Sequence, residues 1–160
     1  MKHFTNAPAL LFLLSSLLLA CASQKPEPLA FEYLSGVYEH SYVEKGAEAQ
    51  LIGSAAEYES KLKALGCTPQ GKEIEGFDFE KRSLVLLFGG TRPSSGYSIQ
   101  TDSLVRTGKT LKLVAVLQKP GENCVVADMI SYPMQLLAID KPAKGTTLTI
   151  SLKENITDCR

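Results

Sequence analysis

The chain has 160 residues, with 17 basic and 17 acidic side chains and a formal charge of zero. A neutral balance without a basic block excludes a nucleic-acid binder that works through a charged patch. The length suits one domain with a substantial core, and 44% apolar residues is a globular composition.

The chain opens like an export signal. Lys2 and His3 precede an apolar run from Ala9 to Ala20, broken only by Ser15 and Ser16. That run is shorter than the about 20 apolar residues that span a bilayer. It ends at Leu18-Leu19-Ala20-Cys21, which resembles a bacterial lipobox with small Ala20 before the cut. The resemblance implies that residues 1–20 are a cleaved lipoprotein signal peptide and that Cys21 carries acyl chains such as palmitate. Each buried CH₂ adds about 0.8 kcal/mol, so several chains give a firm membrane anchor. Ala22 and Ser23 carry no acidic retention signal. By the same resemblance, the protein belongs to the bacterial cell envelope, at the outer membrane and facing the periplasm.

Residues 21–30 are polar, carry Pro26 and Pro28, and read as a lipidated tether. Residues 31–160 read as a single domain. Beyond Cys21 the chain has Cys67, Cys124 and Cys159. Export permits one disulfide among them; three pairings are open, with one thiol left over. There is no CxxC and no Cys/His cluster along the chain, so no metal is expected.

Residues 33–43 mix aromatic and polar side chains and read as a first strand. Val37, Glu39 and Ser41 fall on one face, and Tyr38, His40 and Tyr42 on the other. Gln50-Leu51-Ile52 forms a short second strand. Ser54-Ala55-Ala56-Glu57 is a capping box, with Glu57 reaching back to the Ser54 amide. Tyr58, Leu62 and Leu65 follow at i, i+4 and i+7, and Gly66 supplies the stop. One helix at about 55–65 is expected. Residues 67–76 read as a polar loop.

Strands then dominate. The near-continuous apolar run at 83–88 predicts a strand buried on both faces. Further strands are expected at 97–104, 110–118, 124–131, 134–140 and 146–152, separated by glycine- and proline-bearing turns. Pro133 marks a break. The expected fold is mainly β (α+β): an antiparallel β-sandwich or barrel-like sheet, with the helix covering one side or end.

One connection stands out, formed by Gly89, Gly90, Thr91, Arg92, Pro93, Ser94, Ser95, Gly96 and Tyr97. Pro93 fixes its own φ and keeps Arg92 out of the α region, while Gly90 and Gly96 are free to take positive φ. Arg and Tyr are enriched at interface hot spots, which makes residues 89–97 the candidate binding loop. Arg92, Ser94 and Ser95 are expected at the surface, and Tyr97 fits either core or contact.

No catalytic set assembles. His40 is the one histidine after the signal, and no GxSxG elbow accompanies it. Ser94 and Ser95 have no base beside them and read as turn residues. Asp78 and Glu80 sit next to Lys81 and Arg82 and read as ion-paired. Neither enzymatic activity nor a cofactor is expected.

The ordered segments Gly76-Phe77-Asp78-Phe79, then Leu84 to Gly89, then Arg92-Pro93-Ser94-Ser95-Gly96-Tyr97-Ser98-Ile99, with a late Tyr132-Pro133, resemble the PrcB-like C-terminal domain family. These are domains of bacterial lipoproteins associated with protease complexes, and the likeness runs from about residue 36 to 141. It implies a non-catalytic protein-binding domain that stabilises a protease complex or another partner, with no catalytic residues to carry over. Residues 93–97 also resemble the Asn-Pro-Thr-Thr-Gly-Tyr loop of chagasin-type cysteine protease inhibitors, with Arg92 in place of the Asn. That likeness implies an alternative, protease inhibition through residues 89–97. A third reading is an envelope ligand-binding or structural lipoprotein, which a deep apolar pocket would favour.

Overall fold

The structure, a computed structural model, describes residues 24–34, 36, 38–70 and 72–159. Residues 1–20, read above as a signal peptide, together with Cys21 and Val37, lie outside the described residues.

In chain order the elements are β1 (Glu27–Pro28), β2 (Glu32–Leu34), β3 (Tyr38–His40), β4 (Glu48–Ile52), α1 (Ala55–Ala64) and β5 (Cys67–Pro69). They continue with β6 (Arg82–Phe88), β7 (Ser98–Thr107), β8 (Thr110–Pro120), β9 (Met134–Asp140) and β10 (Thr147–Thr157). An inner sheet has the order β2-β9-β6-β4 and an outer sheet the order β1-β7-β8-β10. Strands β3 and β5 form a separate two-stranded ribbon.

The inner sheet is apolar on both faces because it has a neighbour on each. Leu84, Leu86 and Phe88 of β6, with Leu136 and Ala138 of β9, pack against Tyr58, Leu62 and Leu65. The alternate residues Val85, Leu87, Leu137 and Ile139 meet Ile99, Leu104, Leu111 and Leu113 of the outer sheet. The domain therefore has three layers, helix and ribbon, inner sheet, outer sheet. The doubly buried strand expected at 83–88 is β6. The outer sheet alternates instead: Leu111, Leu113, Ala115 and Leu117 are buried on β8, while Thr110 and Lys112 face water.

Helix α1 starts as its sequence dictates. The Ser54 hydroxyl accepts the Glu57 amide at 3.2 Å. The Glu57 carboxylate reaches the Gly53 amide at 2.9 Å, one residue earlier than a strict capping box. Tyr58 and Leu62 form the buried stripe, continued by Leu65 at the cap.

Several elements differ from expectation. The strand read over 33–43 is two short pieces, β2 in the inner sheet and β3 in the ribbon. The stretch read as a polar loop contains β5, whose Cys67 pairs with His40. Within the tether, Glu27 and Pro28 pair with β7, and Glu27 bonds Arg106 at 2.8 Å. Strand β10 runs to Thr157 and lies parallel to β8, because β9 carries the chain through the inner sheet between them. The sheets remain open at their edges, a β-sandwich-like α+β fold and not a closed barrel.

The strand expected at 124–131 is a correction. Residues 121–133 form a long connection between β8 and β9, with Val125, Met129 and Ile130 exposed. Gly121 N donates to Thr157 O, and from Ala127 to Pro133 its backbone bonds go to the 89–97 loop, with a single bridge at Ser131 and Arg92 in place of a ladder. The sequence holds the signal for this: Val125-Val126 and Met129-Ile130 are adjacent pairs, which break period-two alternation.

Candidate functional site

Residues 89–97 join the central strand β6 to β7, so a rigid core presents them. The Gly89 amide donates to Pro133 O at 2.7 Å, and Thr91 N donates to Lys45 O at 2.9 Å. Arg92 and Ser131 exchange both backbone bonds, at 2.9 and 3.0 Å, and Ser95 N reaches Ala127 O at 3.0 Å. Side chains add to this lacing. The Thr91 hydroxyl accepts from Lys45 N at 3.1 Å and donates to Val43 O. The Ser95 hydroxyl accepts from Ala127 N at 2.8 Å, and Ser131 Oγ donates to Ser94 O at 2.7 Å. The loop is thus held between residues 43–45 on one side and 127–133 on the other.

Glycine makes this approach possible. Gly90 has φ of 85°, and a Cβ there would sit 3.1 to 3.2 Å from backbone atoms of Ala47, Gly46 and Lys45. Gly96 has φ of 90°, with Val126 Cγ1 at 2.8 Å from the same position. Both positive angles belong to the region that side chains avoid.

The loop's side chains are not placed as expected. Arg92, Ser94 and Ser95 are half-buried, and the exposed residues are Pro93 and Gly96. The Arg92 guanidinium turns back on its own loop: Nε donates to Gly89 O at 2.8 Å, and Nη2 reaches the same oxygen. It also lies over the Tyr97 ring at 5.8 Å. Tyr97 is half-buried against the core between the sheets. Arg92 and Tyr97 therefore set the loop's shape.

What the loop supports lies beside it. Tyr42 is 67% exposed, Val125 102%, Met129 60% and Ile130 43%. A groove of about 590 Å³, open to solvent, runs between Tyr42, Glu44, Arg92, Pro93 and Ile130. Tyr42 and Ile130 line one groove, and Val125, Met129 and Ile130 follow along one connection. Scattered exposed apolar residues are ordinary, whereas contiguous exposed apolar patches are the kind of surface associated with contacts. A disulfide between Cys124 and Cys159 ties the 121–133 connection to the end of β10. Cys67 is the free, buried cysteine among the described residues.

The hydroxyls of Ser94, Ser95 and Thr91 are engaged in loop hydrogen bonds. Asp78 pairs with Lys81 at 3.2 Å, and that lysine's hydrogen bond is the main cause holding its carboxyl below the usual value. Elsewhere, Cys67 Sγ lies 3.2 Å from His40 Nδ1. A nucleophilic pair needs a lowered thiol pKa and a protonated imidazole. Here burial pushes the Cys67 thiol up to about 11 and holds His40 below its ordinary value. No group of three or more His, Cys, Asp or Glu residues among those described could hold a metal ion.

Residues 83–140 match the family described as PrcB C-terminal. The matched span begins at β6 and ends with β9, so it contains both loops of the site. It supports a PrcB-like C-terminal domain over a narrower range than the residues 36 to 141 of the sequence likeness. The family is of a non-catalytic, accessory type. No curated protein and no solved structure matches the chain.

Proposed function

We propose, from a PrcB-like domain at residues 83–140, that this chain is a lipid-anchored envelope protein that binds and stabilises a protease-containing complex. The observation that carries this reading is the exposed apolar set Tyr42, Val125, Met129 and Ile130 on the laced loops. Its residues gain by being covered, at about 25 cal/mol per Å² of apolar area removed from water. Association through such a surface needs little ordering of the backbone, since the hydrogen bonds of residues 89–97 are already made. The lipobox-like Cys21 would hold the domain at the membrane, and the outer membrane is the expected location.

Protease inhibition by insertion of residues 89–97 into a cleft receives less support. The loop is flanked on both sides, and its arginine points inward.

A photo-crosslinking residue at Met129, with a second at Lys112 on the water-facing side of β8, tests the binding reading. The account expects a protease-complex component joined to position 129 and not to 112. Equal capture at both positions, or none at 129, contradicts it. Metabolic labelling with a palmitate analogue tests the anchor: label should vanish in Cys21→Ser, and label retained there would refute lipidation at that residue.

A further inference from the structure

The partner surface leaves one group of side chains unexplained. Where the β3–β5 ribbon covers the helix side of the inner sheet, two donors, an imidazole nitrogen and a thioether sulfur, lie against one thiol sulfur. His40 Nδ1 lies 3.2 Å from Cys67 Sγ, and Met134 Sδ lies 3.9 Å from it. They come from β3, β5 and β9, which the topology brings together. We propose that Cys67, His40 and Met134 form a binding site for a soft monovalent cation of the Cu(I) class.

The ligand chemistry selects the ion. A thiolate and a thioether prefer Cu(I), and imidazole suits it as well. Three ligands about 2.0–2.3 Å from one ion sit roughly 3.5–4 Å from each other. The sulfur–sulfur distance of 3.9 Å already has that value, and the imidazole needs only a small outward shift from 3.2 Å. Tyr132 stacks on the His40 ring at 4.5 Å with planes 12° apart, which fixes the ring's orientation.

Charge argues in the same direction. Cys67 is 6% exposed, and burial disfavours its bare thiolate. A thiolate bound to a monovalent cation is neutral overall and escapes that penalty. A divalent ion would leave a net positive charge beside apolar Leu62 and Leu65, with no carboxylate in the set to offset it. Binding replaces the Cys67 S–H bond, for which Leu65 O and Met134 Sδ are both in reach as acceptors, with an S–Cu(I) bond. One proton leaves to solvent, and no atom changes oxidation state. An open groove of about 310 Å³, lined by Ser41, Leu62, Gly66 and Cys67 among others, lies on the Cys67 side of this group. The expectation of no metal came from spacing along the chain. It could not register residues 40, 67 and 134 as one group, or count a methionine as a ligand.

The test is a titration of the full chain in detergent with Cu(I), under ascorbate and without oxygen, against a chromophoric Cu(I) chelator. The wild type should withdraw one equivalent. Met134→Leu, which keeps apolar volume, should weaken binding at least about tenfold, and Cys67→Ser should abolish it. X-ray absorption should find two sulfurs and one nitrogen about 2.0–2.3 Å from copper. The proposal is overturned if no Cu(I) is withdrawn, if both variants bind like wild type, or if the shell holds only nitrogen and oxygen. Displacement of bound Cu(I) by equimolar Zn²⁺ would overturn the assigned class of ion.

Discussion

Two apolar stretches of this chain have similar composition and opposite fates. Leu84 to Phe88 is at most 1% exposed at every position. Val125, Val126, Met129 and Ile130 range from 36% to 102%. The difference lies in the backbone. Strand β6 is paired along both edges, with β4 and β9, so its side chains project alternately into the two apolar layers. Residues 121–133 are tied by a disulfide near one end and by Arg92 and Ser95 toward the other, with one isolated bridge at Ser131 and no extended ladder to lie in. Apolar character leads to burial only where the backbone has partners that bring it inside. Where the backbone is satisfied elsewhere, the same residues stay in water and are available to a partner.

The comparison can be broken most forcefully in the core. Leu137→Ala removes a fully buried side chain from the middle of the inner sheet. It should cost about 2–5 kcal/mol in urea unfolding, whereas Val125→Ser should change stability by less than about 0.5 kcal/mol. Similar costs for the two would end the distinction between the stretches.

The next largest effect belongs to the covalent tie. Cys124 and Cys159 are 35 residues apart in sequence. Replacing both with Ser should lower stability by about 2–4 kcal/mol. Limited proteolysis should then cut within 121–133 faster than it does in the wild type. Unchanged protection would mean that the hydrogen bonds from Arg92 and Ser95 suffice.

Gly90→Ala probes the lacing from the other side, since it requires positive φ and meets the backbone of residues 45–47. A loss of about 1–3 kcal/mol is expected. Full stability in this variant would show that the 43–47 segment yields without cost.

The smallest effect is a pH dependence in the helix-side layer. Burial holds the folded His40 pKa below the ordinary 6.5. The unfolded chain therefore binds more protons as pH falls through 6.5, and stability drops in that window. Urea unfolding at about pH 7.5 and about pH 5.5 should differ less in His40→Gln than in wild type. Identical differences would remove His40 from the cause.

Much of the fold is legible along the chain because it follows from local period and capping. Ser54, Glu57 and the Tyr58/Leu62/Leu65 stripe define α1, and the unbroken run at 84–88 announces a strand covered on both faces. What is not legible depends on contacts distant in sequence. Strand β5 exists because Cys67 meets His40, and β10 is parallel because the chain crosses between sheets. The site divides in the same way. Gly90, Pro93 and Gly96 identify the loop, since its backbone demands them. The inward turn of Arg92 and the exposure of Met129 depend on how residues 121–133 lie against it.

The central claim is that the 121–133 side chains serve contact and not folding. Its most direct measurement pairs urea unfolding with capture of the protease complex from membranes, for wild type and a Val125→Ser/Met129→Ser/Ile130→Ser variant. The account predicts stability within about 1 kcal/mol of wild type together with lost capture. A stability loss of the size expected for Leu137→Ala, with capture intact, would contradict it.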